Sequence, residues 1–160
     1  MRFLVSPSPD LQDRVRPPVR WFLVFAALLV AGLAAQRGLA GGLTPSGAEA
    51  HYLGADGLEP VPAVALWEEL HANAFVYGFL LLTLGSLLAV APVAARWRGA
   101  LTWAGCAAAL ADLGAPFAVV AARGLGLLRV AVFAALAGAL LASIAVSWVS
   151  LGRPPRRADA

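Results

Sequence analysis

The sequence predicts an all-α membrane protein, a four-transmembrane-helix bundle with one external loop that carries a short helix. The chain has 160 residues and is 61% hydrophobic and 13% charged, whereas a soluble domain is roughly 45–50% apolar and 25% charged. Four long apolar runs account for most of its length. The 12 basic residues are all arginine and fall mainly at the ends of these runs, which is typical of a membrane protein and argues against a nucleic-acid-binding surface.

Residues 1–20 form a basic, proline-rich lead in which we predict no long regular element, because proline interrupts helices and strands. The apolar run 21–40 predicts the first membrane helix, with the Arg37 side chain extended toward the headgroups. A cleaved signal peptide is the alternative, since the run ends in small residues around Ala34. The long lead before it favours a membrane helix.

Residues 41–65 form the only sizeable polar connection, and we assign them to an external loop. Thr44 followed by Pro45 is typical of an N-cap and a first helical position. A short helix is therefore predicted from Pro45 to about Leu53, ending at Gly54.

Three further apolar runs predict membrane helices at 66–93, 99–122 and 125–151, which complete a membrane domain of residues 21–151. From Leu70 to Val93 no residue is charged over 24 positions, and at about 1.5 Å per residue this stretch can cross a hydrocarbon layer of roughly 30 Å. The tail 152–160 is basic and interrupted by prolines.

The arginines also predict orientation. Nine of the 12 lie in the lead, the turn between the second and third helices, and the tail, whereas Arg37, Arg123 and Arg129 lie on the opposite side. The positive-inside rule then places both termini in the cytoplasm and the loop after the first helix outside. The expected partners are the lipid bilayer and either other membrane subunits or further copies of the chain, and not nucleic acid.

Asp112 is the one acidic residue inside an apolar run after residue 70, and Pro116 follows it by four positions. Because proline has no N–H, the carbonyl of Asp112 loses its helical donor. A carboxylate at membrane depth also requires a partner. Arg129, in the opening turns of the fourth helix, is the predicted partner, and a structural ion pair is favoured over a ligand site.

The second helix carries further polar residues near its outer end. His71, Asn73 and Tyr77 complete a candidate polar pocket with Asp112 and Arg129, and we expect His71 to point inward with the two charged residues. His51, Glu68 and Glu69 are additional contributors from the loop and its junction with the helix. Cys106 is the single cysteine, so we predict neither a disulfide nor a metal site.

Two resemblances follow from these residues. The first is carried by Thr44-Pro45-Ser46-Gly47, His51-Tyr52-Leu53-Gly54, Glu69-Leu70-His71 and Asp112 to Pro116. Over residues 43–150 the chain resembles a family of small, uncharacterised bacterial four-helix inner-membrane proteins. This resemblance implies that the chain lies in the inner membrane of a bacterium. The stretch ELHANAFVYGFLLLTLG is more distantly similar to the His-x-His helix of haem–copper oxidases, where a histidine ligates haem. In this chain Asn73 stands in place of the second histidine, which argues against oxidase-like catalysis.

Two functions remain open at this level. The first is a non-enzymatic accessory or assembly subunit of a membrane complex, such as a respiratory one, because we find no nucleotide loop and no nucleophile–base pair. The second is a haem- or quinone-binding membrane protein that uses the outer pocket. No cofactor is predicted for the first.

Overall fold

A computed structural model describes residues 9–40, 42–55 and 59–152, with side chains from residue 15 onward. Within these residues all regular secondary structure is α-helical, with no strand. Four of the helices are long and apolar enough to cross a membrane. The predicted fold class is therefore confirmed. The helices are α1 (Pro9–Leu39), α2 (Pro45–Leu53), α3 (Ala63–Val90), α4 (Ala95–Ala121) and α5 (Gly126–Gly152).

The first helix begins earlier than predicted. It starts at Pro9 and continues through Pro17 and Pro18, so the expectation of no long regular element in the lead is wrong for the described part of it. Each proline removes a backbone donor and strains a helix interior, but its fixed φ of about −65° is itself helical, so the helix continues through the pair. The start of the predicted lead, residues 1–8, and residues 153–160 of the predicted tail lie outside the described residues.

The turn between α3 and α4 is shorter than predicted. α3 ends at Val90 because Pro92 disfavours helical geometry at Ala91, whose ψ is 140°. α4 then begins at Ala95, so its first turn contains the arginines that we had assigned to the turn. The Arg98 guanidinium donates a hydrogen bond to the Ala89 carbonyl at 2.7 Å, which satisfies one of the carbonyl groups at the end of α3.

The short helix α2 begins and ends at the predicted residues. The Thr44 hydroxyl accepts a hydrogen bond from the Gly47 amide at 3.1 Å, and Gly54 ends the helix with a φ of 76°, a conformation that favours glycine. α2 packs on the start of α5, where the Glu49 carboxylate accepts a hydrogen bond from the Gly126 amide at 3.0 Å. A carboxylate at a helix N-terminus is favourable both as a cap and toward the helix dipole.

α5 is the central helix of the bundle and contacts each of the other four. We call the end of the bundle that carries α2 the loop end, and the end where α5 finishes the tail end. The main core is formed by Leu23, Ala26, Val30, Tyr77, Leu80, Leu84, Ala109, Leu136, Leu140 and Ile144.

The outer surface of the bundle is apolar over much of its area. Large side chains such as Phe25, Phe75, Trp103 and Leu110 are exposed on α1, α3 and α4. A soluble monomer rarely exposes apolar patches of this extent, whereas helices in lipid present such side chains to the acyl chains. Together with the four candidate spans, this surface identifies a multi-pass membrane protein.

Candidate functional site

A group of charged and phenolic side chains lies inside the bundle toward its loop end. We call it the charge cluster. Its centre is Asp112 of α4, whose side chain is 1% exposed. All five described helices contribute to the cluster: Arg37 from α1, Tyr52 from α2, Glu69 and Tyr77 from α3, Asp112 from α4 and Arg129 from α5.

Arg37 binds Asp112 through two parallel hydrogen bonds. Its Nη1 and Nη2 atoms lie 2.8 and 2.7 Å from Oδ1 and Oδ2 of the carboxylate, the bidentate arrangement that suits a guanidinium. The Tyr77 hydroxyl donates to Oδ2 at 2.8 Å and accepts from Arg37 at 3.1 Å. The guanidinium also lies over the Phe133 ring, 3.9 Å from its centroid, so its flat face is covered by an aromatic ring.

Arg129 of α5 is the second arginine that binds Asp112. Its Nη1 atom pairs with Oδ1 of the carboxylate and also donates to the main-chain carbonyl of Asp112 at 3.3 Å. This is the carbonyl that Pro116 leaves without its usual helical donor. The Arg129 guanidinium therefore contacts both the carboxylate of Asp112 and the main-chain carbonyl that lacks a helical donor.

A second branch of the cluster runs toward the loop end. The other nitrogen of the Arg129 guanidinium, Nη2, donates to Glu69 at 3.1 Å and to the Tyr52 hydroxyl at 3.3 Å. The Tyr52 hydroxyl in turn donates to the Glu69 carboxylate, with both oxygens at 3.2 Å. Burial raises the pKa of Tyr52, an effect that the nearby Arg129 charge partly opposes. Glu69 is 30% exposed, so this branch reaches the surface.

The carboxylate of Asp112 has no lone pair left to accept a further hydrogen bond. Each carboxylate oxygen accepts two hydrogen bonds, Oδ1 from the two arginines and Oδ2 from Arg37 and Tyr77, and a carboxylate offers about four lone-pair sites. The cluster also balances two arginines with two carboxylates in formal charge. A buried ion pair of this kind is costly to break because removal of one partner strands the other.

The structure brings together three of the five residues of the predicted pocket, namely Tyr77, Asp112 and Arg129. His71 does not join them: its side chain is exposed, and the expectation that it points inward is wrong. Six positions separate it from Tyr77, a rotation of about 240° at 100° per residue, so the two lie on different faces of α3. Asn73 is half-buried and is not part of the cluster.

Of the three residues predicted to contribute to the pocket from the loop and its junction with the helix, one lies in the charge cluster and two do not. Glu69 is part of the cluster, whereas Glu68 is exposed. His51 is half-buried and contacts the Tyr52 ring edge to face, with centroids 4.8 Å apart. Neither His51 nor His71 is therefore a member of the charge cluster.

Arg37 and Tyr52 belong to the cluster but were not predicted as site residues. Arg37 had been interpreted as a boundary residue that extends toward the headgroups, and Tyr52 as part of the short loop helix. One signal was available for Arg37, since it is one of only three arginines on the loop side of the membrane. Each of those arginines at membrane depth needs a partner, and Asp112 is the acid within reach.

Among the described residues, no group of three or more histidine, cysteine, aspartate or glutamate side chains is arranged to hold a metal ion. Cys106 is a free, half-buried thiol.

The chain is similar to a known family of transmembrane domains. The model of the Aq_1264_TM family, described as a transmembrane helical domain, matches residues 42–158. No curated protein and no solved structure matches the chain. The matched residues include α2 to α5 and five of the six members of the charge cluster, with Arg37 outside the match. The match covers more than half of the length of the chain. The chain therefore belongs to the Aq_1264_TM family of transmembrane helical domains.

Proposed function

We propose that the protein is a non-catalytic subunit of a membrane complex, with an accessory or assembly role, in which the charge cluster holds the helices in place. The observation that carries this proposal is the saturation of Asp112 by two arginines and a tyrosine. A general acid or base needs a free site for the proton that it transfers. In this cluster that capacity is used by the bundle itself.

The exposed ridge of α3 supports a role in binding a membrane partner. Trp67, His71, Phe75 and Phe79 are all exposed and recur every four residues, a spacing that places them on one helix face. Aromatic side chains are enriched in the buried centres of protein interfaces. A histidine facing only acyl chains is costly, whereas a neighbouring helix can offer it a hydrogen-bond partner. A respiratory complex is one class of assembly that this subunit would serve.

A photo-crosslinking experiment tests the partner. We expect a crosslinking amino acid placed at Phe75 or Phe79 to give one discrete protein adduct in native membranes. The same probe at Leu110, an equally exposed position on α4, is the matched control and should give mainly lipid adducts. Mass spectrometry of the adduct distinguishes a second copy of this chain from another subunit. Equal adduct patterns at the three positions would contradict a partner on this ridge.

We also propose that both termini are cytoplasmic and that α2 lies outside the cytoplasmic membrane of a bacterium. The asymmetry of the arginines supports this orientation. In a Cys106→Ser background, an impermeant maleimide should label Glu59→Cys from outside intact cells. Arg157→Cys should react only after the cells are opened. Labelling of position 59 from the cytoplasmic side alone would refute the orientation.

Quinone binding is a second candidate because the Tyr52–Glu69 branch of the cluster opens to the surface. A phenol and a carboxylate at the edge of a membrane bundle could hydrogen-bond a quinone headgroup. Solvent extraction of purified protein should then yield close to one quinone per chain, and less after Tyr52→Phe. An absorption spectrum of the same sample tests haem, which would give a Soret band. A colourless, quinone-free protein leaves the subunit role.

A further inference from the structure

An apolar groove runs along the bundle between α1 and α5, near the tail end. It has a volume of about 400 Å³, within the range of roughly 300–1,000 Å³ typical of small-molecule sites. On α5 it extends from Leu141 to Val149, about 12 Å at 1.5 Å per residue. Every lining side chain is hydrocarbon or indole: Leu23, Val24, Ala27, Leu141, Ile144, Ala145, Trp148 and Val149.

One end of this groove carries a positive charge. Arg20 lies one turn before Leu23 on α1, and its guanidinium is 5.9 Å from the centroid of the Trp148 ring. Arg20 is exposed and forms no ion pair with any of the described side chains. The groove therefore combines an apolar channel at membrane depth with an arginine and a tryptophan at the level where headgroups lie.

We infer that this groove binds one anionic phospholipid, with an acyl chain along the groove and the phosphate at Arg20. Charge complementarity selects the occupant: an apolar channel alone would accept any acyl chain, but the arginine at its mouth favours a headgroup with net negative charge. Basic sites between transmembrane helices bind anionic headgroups in this way. The inference does not depend on the proposed subunit role, since the groove is lined by α1 and α5 and none of its lining residues belongs to the exposed ridge of α3.

Native mass spectrometry tests the lipid. Purified protein is titrated with equal amounts of phosphatidylglycerol and phosphatidylcholine that carry identical acyl chains. We expect one tightly retained lipid with a preference for phosphatidylglycerol. Arg20→Gln should reduce this preference about fivefold, the ratio expected for one arginine near an anionic surface. Ala145→Phe, which fills the groove, should reduce retention of both lipids.

Arg96→Gln is the matched control. Arg96 is also an exposed arginine near the tail end, 5.8 Å from the Trp97 ring centroid, but it does not border the groove. Its replacement should leave the lipid preference unchanged, and circular dichroism should show the wild-type helix content for all three variants. Equal retention of the two lipids by the wild-type protein would overturn the inference. An equal loss of preference in Arg96→Gln and Arg20→Gln would also overturn it.

Discussion

Asp112→Asn should destabilise the folded bundle by about 3–5 kcal/mol, the scale for removing one partner of a buried ion pair. The substitution preserves the size of the side chain but removes its charge, which leaves Arg37 and Arg129 close together without the carboxylate between them. The free energy of unfolding can be measured by denaturant titration in micelles with circular dichroism. We expect the transition to move to much lower denaturant than in the wild-type protein.

Glu68→Gln is the control for this experiment, because Glu68 is an exposed acid on α3 next to the cluster. Its effect should stay within about 0.5 kcal/mol, as for most surface substitutions. The double variant Asp112→Asn/Arg129→Gln should recover part of the lost stability, though not all of it, because Arg37 is still left without its carboxylate. Strictly additive losses in this double-mutant cycle would show that Asp112 and Arg129 are not coupled.

Gly126→Ala should destabilise the contact between α2 and α5 by about 1–3 kcal/mol, the usual range for overpacking. A Cβ atom at this position would overlap the main-chain carbonyl of Pro45, and a backbone group cannot move aside as a flexible side chain can. The shift would also weaken the hydrogen bond from the Gly126 amide to Glu49. Hydrogen exchange of the α2 amides, together with the free energy of unfolding, measures both effects.

Gly138→Ala provides the comparison within the same helix. A Cβ atom at Gly138 would meet nothing within 4 Å, and alanine is favoured over glycine in a helix by roughly 0.5–1 kcal/mol. Gly138→Ala should therefore be neutral or stabilising. Equal effects of the two substitutions would mean that the close approach of α2 to α5 does not limit residue 126.

Much of the architecture follows from the sequence because its causes are local. Apolar runs longer than a bilayer is thick must form helices, since lipid offers no partners for open backbone groups. The residues Thr44, Pro45 and Gly54 determine both ends of α2 through capping chemistry that involves only their neighbours. Asp112 and Pro116 likewise show, from their spacing alone, that the third membrane helix needs an outside donor.

The membership of the charge cluster depends on tertiary structure. The sequence shows that Arg37, Arg129, Glu69 and Asp112 carry charge, but which of them meet is decided by how α1, α3, α4 and α5 rotate and pack. His71 and Tyr77 illustrate this, because both lie on the apolar helix α3. Contacts with other helices, such as the hydrogen bond from Tyr77 to Asp112 of α4, decide that the helix face carrying Tyr77 points inward. Val19, which lies before the predicted start of the first membrane helix, also packs against the core, so contacts with other helices extend beyond that predicted start.

The physical reason for this division is the range of the forces involved. Length, hydropathy and capping act within a few residues, so the sequence by itself determined the spans, the short helix and the demand for a partner at Asp112. Ion pairs join residues as far apart in sequence as Arg37 and Asp112, and an apolar helix with little amphipathic character does not mark its inward face. Only the packed bundle decided that both arginines share one carboxylate and that His71 lies outside.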